Sequence, residues 1–396
     1  MTADGGGLVA FEATALESRH RSGVGNYTAQ LLQALVARDD GMRYALLASR
    51  PRNVRIPQGV AVPDGQYFPN RFLWIQLLLP RIVRRLRPSL CHFTNSIAPL
   101  SLCCPFAVTV HDMSLFLFPR LQPRKSVLLV RSILPSVVRK AAAVITISQS
   151  AKADIVRVLK VPEVRVHVVY GAAGSEFQRI SDARELERVK HKYRLDVPFV
   201  LAVGTLEPRK NLPRLVRAFA RLRRGGRGEQ LVLAGQLGWH YRPLMRLIER
   251  SDLRGAVRLP GYVPPEDLPA FYNLARAVAF PSFYEGFGLP IVEAMASGTP
   301  VLTSNCSSMA EIGAGASLLV DPSSEEDIEH GLLRLVTENP LREDLSAAGL
   351  ARAAEFSWDR AAAETAAVYR QIASCDRRSD PGGADDTSER GCPTFD

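Results

Sequence analysis

Short, wholly apolar runs rich in β-branched residues alternate with longer segments of helical periodicity along nearly the whole chain. Few folds accept that pattern. A strand that is apolar at every position needs cover on both faces, which a parallel sheet wrapped by its own crossover helices provides. Strand-like runs fall at residues 8–11, 44–47, 106–110, 144–147 and 166–169, and again at 199–203, 231–234, 277–280, 300–303 and 318–320. Between the two series, residues 171–196 are polar and charge-rich, and the pattern restarts at Val197-Pro198-Phe199. The expected architecture is α/β. It has an N-terminal unit over residues 1–180, a C-terminal unit over 196–358, and a last helix over 359–375 packing back towards the first unit. Residues 376–396, dominated by Asp, Ser, Arg, Gly and Pro, are expected to be disordered. Two such units place a ligand cleft between the carboxyl ends of their sheets.

Composition narrows the function. The 396 residues suffice for two domains, and 46% hydrophobic with 23% charged residues excludes disorder for the bulk of the chain. No apolar run approaches the ~20 residues needed to span a bilayer; the best, at 72–83, is interrupted by Gln76, Pro80 and Arg81. The start, Met-Thr-Ala-Asp-Gly-Gly-Gly, has neither the basic region nor the apolar core of a secretory signal. Six cysteines, including the pair Cys103-Cys104, show no disulfide or zinc spacing, so a cytoplasmic protein is expected.

The net charge of +10 is carried by the first half: residues 1–200 hold 28 Lys and Arg against 14 Asp and Glu, residues 201–396 hold 22 against 26. Residues 65–153 contain twelve cations and a single acid, Asp112. Such a stripe implies an anionic partner or a solvated basic face. With no zinc finger and no aromatic-studded RNA-binding strand, nucleic acid is not expected. Leu, Ile and Trp74 lie among Arg71, Arg81, Arg84, Arg85 and Arg87, and a second basic segment spans 120–140. That mixture suits peripheral contact with an anionic membrane, at the inner face of the plasma membrane. The competing reading is two packing helices with arginines outside.

Three loops carry phosphate-binding chemistry. Ser22-Gly23-Val24-Gly25-Asn26-Tyr27 precedes a helix expected over 28–36, and its glycines let backbone N–H groups approach an anion. The dinucleotide fingerprint fails there, because Thr28 stands where a third Gly or Ala is required. In Gly204-Thr205-Leu206-Glu207-Pro208-Arg209-Lys210-Asn211-Leu212-Pro213 a strand runs into a turn, two adjacent cations and a helix start. Cations there oppose the helix dipole, a cost an anion would relieve. In the third, Glu285-Gly286-Phe287-Gly288-Leu289-Pro290 ends a strand and opens a helix carrying Glu293, with backbone donors at its N-terminus.

Glu285-x7-Glu293 in its Gly-Phe-Gly-Leu-Pro frame, with residues 204–211 upstream, resembles the retaining nucleotide-sugar glycosyltransferases of family 4. Gly23-x-Gly25-x-Tyr27, Val110-His111-Asp112, Ile147-Ser148-Gln149-Ser150 and Leu259-Pro260-Gly261-Tyr262-Val263 extend the resemblance from about Phe11 to Ile372. It implies the GT-B fold: two Rossmann-like domains facing a cleft, the first for the acceptor and the second for the donor. By similarity, Arg209 and Lys210 would grip the diphosphate and stand in for a metal, so neither metal nor cofactor is expected beside the nucleoside diphosphate sugar substrate. Glu293 would bind the ribose, and Glu285 would lie near the donor sugar. Gly286, Phe287, Gly288 and Leu289 would donate backbone N–H groups, and Gly204 belongs to the same donor site. Tyr262 and Val263 would line the base pocket, and Gly23 and Gly25 would close over the phosphates or the acceptor. His111 would touch the donor sugar, where the bland reading pairs it with Asp112. Retention follows either from front-face attack, the leaving phosphate taking the proton, or from Glu285 as nucleophile.

The wording of these motifs is similar to bacterial envelope polysaccharide enzymes of mannosyl or rhamnosyl type. The implied reaction moves a hexose, with mannose from GDP-mannose as first choice, to a glycan or lipid-linked acceptor. A nucleotide-sugar epimerase and a non-catalytic sugar-nucleotide- or glycan-binding GT-B protein are the rivals.

Overall fold

The structure is a computed structural model; it describes residues 7–378 except 19–21, 51–55, 64–67, 69, 227 and 251–252. The tail expected at 376–396 lies outside the described residues beyond Arg378. Two six-stranded sheets, each parallel throughout, organise the chain. The first contains β1 (Leu8–Glu12), β2 (Arg43–Leu47), β3 (Leu90–Phe93), β4 (Phe106–Thr109), β5 (Ala143–Thr146) and β6 (Val166–Val168), in the order β2-β1-β3-β4-β5-β6. The second contains β7 (Phe199–Val203), β8 (Gln230–Ala234), β9 (Val257–Gly261), β10 (Ala277–Phe280), β11 (Val301–Ser304) and β12 (Leu318–Val320), in the order β12-β11-β10-β7-β8-β9. In the second sheet the chain winds outward from β7 through β8 and β9, then returns to the other side of β7 at β10. The loops that follow β7 and β10 therefore lie side by side at the switch point, where open α/β sheets bind ligands.

Two strands escape the sequence pattern. β3 is only four residues long and carries His92 in its centre. Burial pushes that imidazole down to about 3, and the neutral ring is satisfied by Tyr369 OH at 2.6 Å and Thr109 Oγ1 at 2.7 Å. β9 reads Val-Arg-Leu-Pro-Gly, and its Pro260 is tolerated because β9 is the sheet edge.

The first helix is also longer than expected. It runs Gly23–Ala37, capped by Ser22, whose Oγ accepts from Gly25 N–H at 3.4 Å. Gly23 and Gly25 thus form its first turn rather than a preceding loop.

The helix Trp358–Arg378 crosses from the second sheet to pack on Gly23–Ala37, with Tyr369 buried against His92. A continuous apolar cluster joins the two domains, from Phe11, Tyr27 and Leu31 to Phe271, Ile291 and Met295. Among the described residues, no helix is long and apolar enough to cross a membrane. Residues 71–86 form one helical run with a π-turn at Trp74–Leu78. Trp74, Ile75, Leu79 and Val83 are buried in it. Trp74 is therefore a core residue, contrary to its placement on an outer apolar face; Leu73 and Leu77 are the exposed ones.

Candidate active site

The loop after β7 turns through Pro208–Lys210 and is tied to its neighbour by Asn211. The Asn211 amide donates to Pro281 O at 3.0 Å and Pro322 O at 2.7 Å, so the two switch-point loops are fixed together. Glu285 enters this seam from the loop after β10. Its carboxylate receives Arg209 Nη1 at 2.5 Å and Lys210 Nζ at 2.8 Å. Arg209 also reaches Glu207 Oε1 at 2.7 Å and Tyr284 O at 2.8 Å, and Lys210 Nζ lies 4.2 Å from the centre of the Phe280 ring.

The two cations do not wait for an external anion: both are already paired with carboxylates of the protein. Two buried carboxylates already offset the cost of placing them before a helix N-terminus. Burial alone would raise the Glu285 carboxyl, but Arg209 and Lys210 override it and hold the group at about 2. Glu285 is an anion with both oxygens committed. Burial raises Glu207, against the pull of Arg209 and Lys210.

The first domain closes on this cluster. Gly286 lies against the His111 backbone, and a Cβ there would come within 2.0 Å of His111 O. Ser148 Oγ donates to Gly286 O at 2.6 Å. Tyr284 OH accepts from Met113 N–H at 3.2 Å and donates to Asp154 Oδ2 at 2.9 Å. Glu311 caps the helix Gln149–Leu159 from across the cleft, accepting the N–H groups of Gln149 and Ser150 at 3.0 Å each.

His111 does not pair with Asp112. Its Nε2–H donates to Thr94 O at 2.8 Å, while Asp112 accepts from Ser114 N–H at 2.8 Å. Burial lowers the imidazole, so the ring is neutral with its lone pair on Nδ1.

Beside the cluster, a cavity of about 220 Å³ opens between the domains, lined by Gly23, Gly204, Tyr262, Val263, Leu289 and Glu293 among others. Lys210 stands just behind Gly204, where a Cβ would meet its Cε at 3.3 Å. Gly25, Arg209, Glu285, Gly286, Phe287, Gly288 and His111 do not line this cavity. Gly25 is buried in the helix turn, and the Phe287 ring packs 5.7 Å from Phe356 as part of the core. Among the described residues, the N–H groups of Gly286, Phe287 and Gly288 donate to no protein acceptor, whereas Glu285 N–H donates to Ser307 Oγ at 3.3 Å.

Tyr284, Glu207, Ser148 and Glu311 carry the geometry but had no assigned role in the sequence. Tyr284 and Glu207 adjoin the motif residues, which was the available signal. Glu311 had none, since the groups its carboxylate accepts from, Gln149, Ser150 and Tyr170, are more than 140 positions away.

Glu293 accepts from Tyr272 OH at 2.7 Å and borders the cavity while remaining largely buried. Burial, with Glu176 nearby, raises it to about 7 despite Tyr272 and Lys210. A carboxyl raised in the native state binds more protons folded than unfolded. Its stabilising contribution is thus complete below about pH 4.5 and lost as pH rises through about 7, amounting to about 3 kcal/mol. Glu293→Gln is expected to flatten that part of the stability–pH curve. Sugar hydroxyls donate best to the carboxylate, so nucleotide binding should tighten from pH 6 to 8 in the wild type and lose that dependence in the variant. Calorimetric titration across that range checks both; a persisting pH dependence in Glu293→Gln would place the titrating group elsewhere.

Residues 183–352 match the family described as Glycosyl transferases group 1, and residues 21–173 match Glycosyltransferase Family 4. The O-antigen chain mannosyltransferase B of Escherichia coli is 37% identical over 266 residues, 67% of this chain and 70% of that protein. The serotype-specific mannosyltransferase WbdA of Escherichia coli is 30% identical over 253 residues, but the match spans only 31% of that longer protein. Among solved structures, the sucrose-phosphate synthase of Thermosynechococcus elongatus superposes with a TM-score of 0.75 at 20% identity, covering 93% of this chain and 100% of the other. Anabaena HepE in complex with UDP and glucose gives 0.71 at 19% identity, covering 94% and 100%. The chain belongs to the family 4 glycosyltransferases, with the two Rossmann-like domains of the GT-B fold.

Proposed function

We propose that this glycosyltransferase moves mannose from GDP-mannose, with retention and without a metal, to a glycan or lipid-linked acceptor in envelope polysaccharide synthesis. The observation that carries the reading is the Glu285–Arg209–Lys210 cluster, held by both domains at the edge of a cavity that contains Glu293. Mannosyltransferase relatives support the sugar, and structural neighbours solved with UDP and UDP-glucose support a nucleotide-sugar donor. In this reading the diphosphate lies against Gly204 and Lys210, the ribose on Glu293, and the base against Tyr262 and Val263. The sugar faces Glu285, the free N–H groups of Gly286–Gly288, and the neutral His111.

As the sugar–phosphate bond breaks, charge accumulates on the diphosphate, and cations already fixed in place stabilise it without reorganisation. Glu285 is a poor nucleophile here, being weakly basic and engaged through both oxygens. That favours front-face attack, in which the leaving phosphate accepts the acceptor's proton.

The test is thermal stability with GDP-, UDP-, ADP- and dTDP-sugars. GDP-mannose at 100 times its dissociation constant should add about 2.7 kcal/mol, and stabilisation by another nucleotide sugar alone would replace the donor. Transfer should survive EDTA; activity lost to the chelator and restored by Mg²⁺ or Mn²⁺ would overturn the metal-independent reading.

The basic stripe supports peripheral membrane contact. On the helix Arg124–Lys140, Ile133, Leu134, Val137 and Val138 face inward, so the packing alternative accounts for those positions. Leu128 is 73% exposed on the opposite side, among Arg124, Lys125 and Arg131, and Leu73 and Leu77 are exposed near Arg71. Each cation near an anionic bilayer contributes about 1 kcal/mol. Co-sedimentation with anionic but not neutral vesicles, reversed by salt, is the expected outcome. Equal binding to both, or to neither at low salt, would remove the membrane from this account.

A further inference from the structure

The donor cavity holds an acid that the proposed function leaves without a role. Glu176 lies on the segment between β6 and the helix Ala183–Tyr193, and it lines the cavity together with Gly174 and Phe177. Its side chain folds back over that segment, so that the carboxylate rests where a Cβ of residue 174 would stand. The Phe177 ring packs edge-on at 5.7 Å against Tyr272, whose hydroxyl donates to Glu293. Glu176 and Glu293 are therefore neighbours in the cavity, close enough for the first to raise the second. Among the described residues, no donor or cation pairs with Glu176, and the residue is exposed.

A carboxylate in a cavity that takes up a nucleoside diphosphate repels it, and Glu176 adds to the charge of Glu293. Strong hydrogen-bond donors on the ligand offset that cost. The diphosphate carries none, and the ribose hydroxyls are placed on Glu293. The base is what remains. Tyr262, Val263, Pro265 and Leu268 line the same cavity and suit the flat face of a base, but every base has such a face, so they do not discriminate. The edges do. Guanine presents N1–H beside its N2 amino group, two parallel donors that match the two oxygens of a carboxylate. Uracil and thymine present one N–H between two carbonyls, which a carboxylate repels. Adenine presents its amino group beside an unprotonated ring nitrogen. Among these bases, guanine alone occupies both oxygens.

We propose that Glu176 reads the base of the donor, its carboxylate accepting N1–H and an N2 amino hydrogen of guanine, and so sets a preference for guanosine diphosphate sugars. The proposal rests on the donor reading above, in which the base lies against Tyr262 and Val263. Calorimetric titration with GDP, inosine diphosphate and UDP tests it. Inosine diphosphate is GDP without the N2 amino group; it keeps the N1–H, the ribose and the diphosphate. The wild type should bind GDP roughly ten- to hundredfold more tightly, the cost of leaving one oxygen of a charged acceptor unpaired. In Glu176→Ala that ratio should fall to about one, since neither ligand then meets the carboxylate. Glu176→Gln, with one acceptor oxygen left, should fall between. UDP should bind Glu176→Ala at least as tightly as the wild type, because the repelling charge is gone.

Equal binding of GDP and inosine diphosphate by the wild type, or a GDP preference that survives Glu176→Ala, overturns the proposal. An equal fall for all three ligands in Glu176→Ala also overturns it, because that would place Glu176 on the ribose or the diphosphate, which they share. Glu176 is exposed and has no protein partner, so both variants should melt without ligand as the wild type does. The same titrations separate this proposal from the reading beneath it. GDP bound without a Glu176-dependent preference sinks the role of Glu176 and spares the donor. UDP bound with no GDP bound at all sinks both.

Discussion

Arg209→Ala is expected to lower turnover by about 10²–10³, the usual cost of removing a fixed group aimed at transition-state charge. It should also destabilise the protein, which a freely exposed loop cation would not do. The substitution leaves Glu207 without its cation and Glu285 with Lys210 alone, both in buried surroundings. Breaking a buried pair from one side typically costs about 3–5 kcal/mol. Lys210→Ala separates the two effects. It spares the Arg209 bridges to Glu207 and Glu285, so turnover should fall comparably while the melting temperature drops less. Steady-state kinetics with thermal melts of both variants decide the matter. Turnover at wild-type level in both would mean that the cations serve only to hold Glu285.

Gly286→Ala is the second large effect. The added methyl would come within 2.0 Å of His111 O and 3.0 Å of Asp112 Cβ, atoms that belong to the opposite domain. The closest atoms are those of the His111 carbonyl, which no rotamer change can move, so the domains must separate by about 1 Å. Misplacement on that scale costs on the order of 10²-fold in rate. The separation would stretch the 2.6 Å bond from Ser148 Oγ to Gly286 O and move Glu285 away from His111. Each sheet keeps its own core, so far-ultraviolet circular dichroism should be unchanged while turnover collapses. Wild-type kinetics in this variant would show that the closed contact is not the reacting arrangement.

Glu207 and Tyr284 show where the sequence stops being informative. Both flank recognisable motif residues, yet their roles depend on partners 2 and 75 to 171 positions away. Strand pattern was legible because burial on both faces of a parallel sheet leaves an apolar signature in the strand itself. It failed only where a strand was short with a histidine, as in β3, or interrupted by proline at the sheet edge, as in β9. His92 looks polar in the sequence and is core in the fold, because Tyr369 and Thr109 satisfy both of its nitrogens.

The two parallel sheets, the loops that leave their strands at the switch point, and the acidic, cationic and glycine residues those loops carry are all written in the linear chain. Periodicity and turn chemistry are local, and so they survive in one dimension. Tertiary structure alone decided that Arg209 and Lys210 meet Glu285, 76 and 75 positions later. It also decided that Trp74 faces inward and that His111 donates to Thr94 rather than pairing with Asp112. The reason is the order of strands. β10 returns beside β7 only after β8 and β9 have been laid down, and the charges on the two loops meet only once that crossover is made.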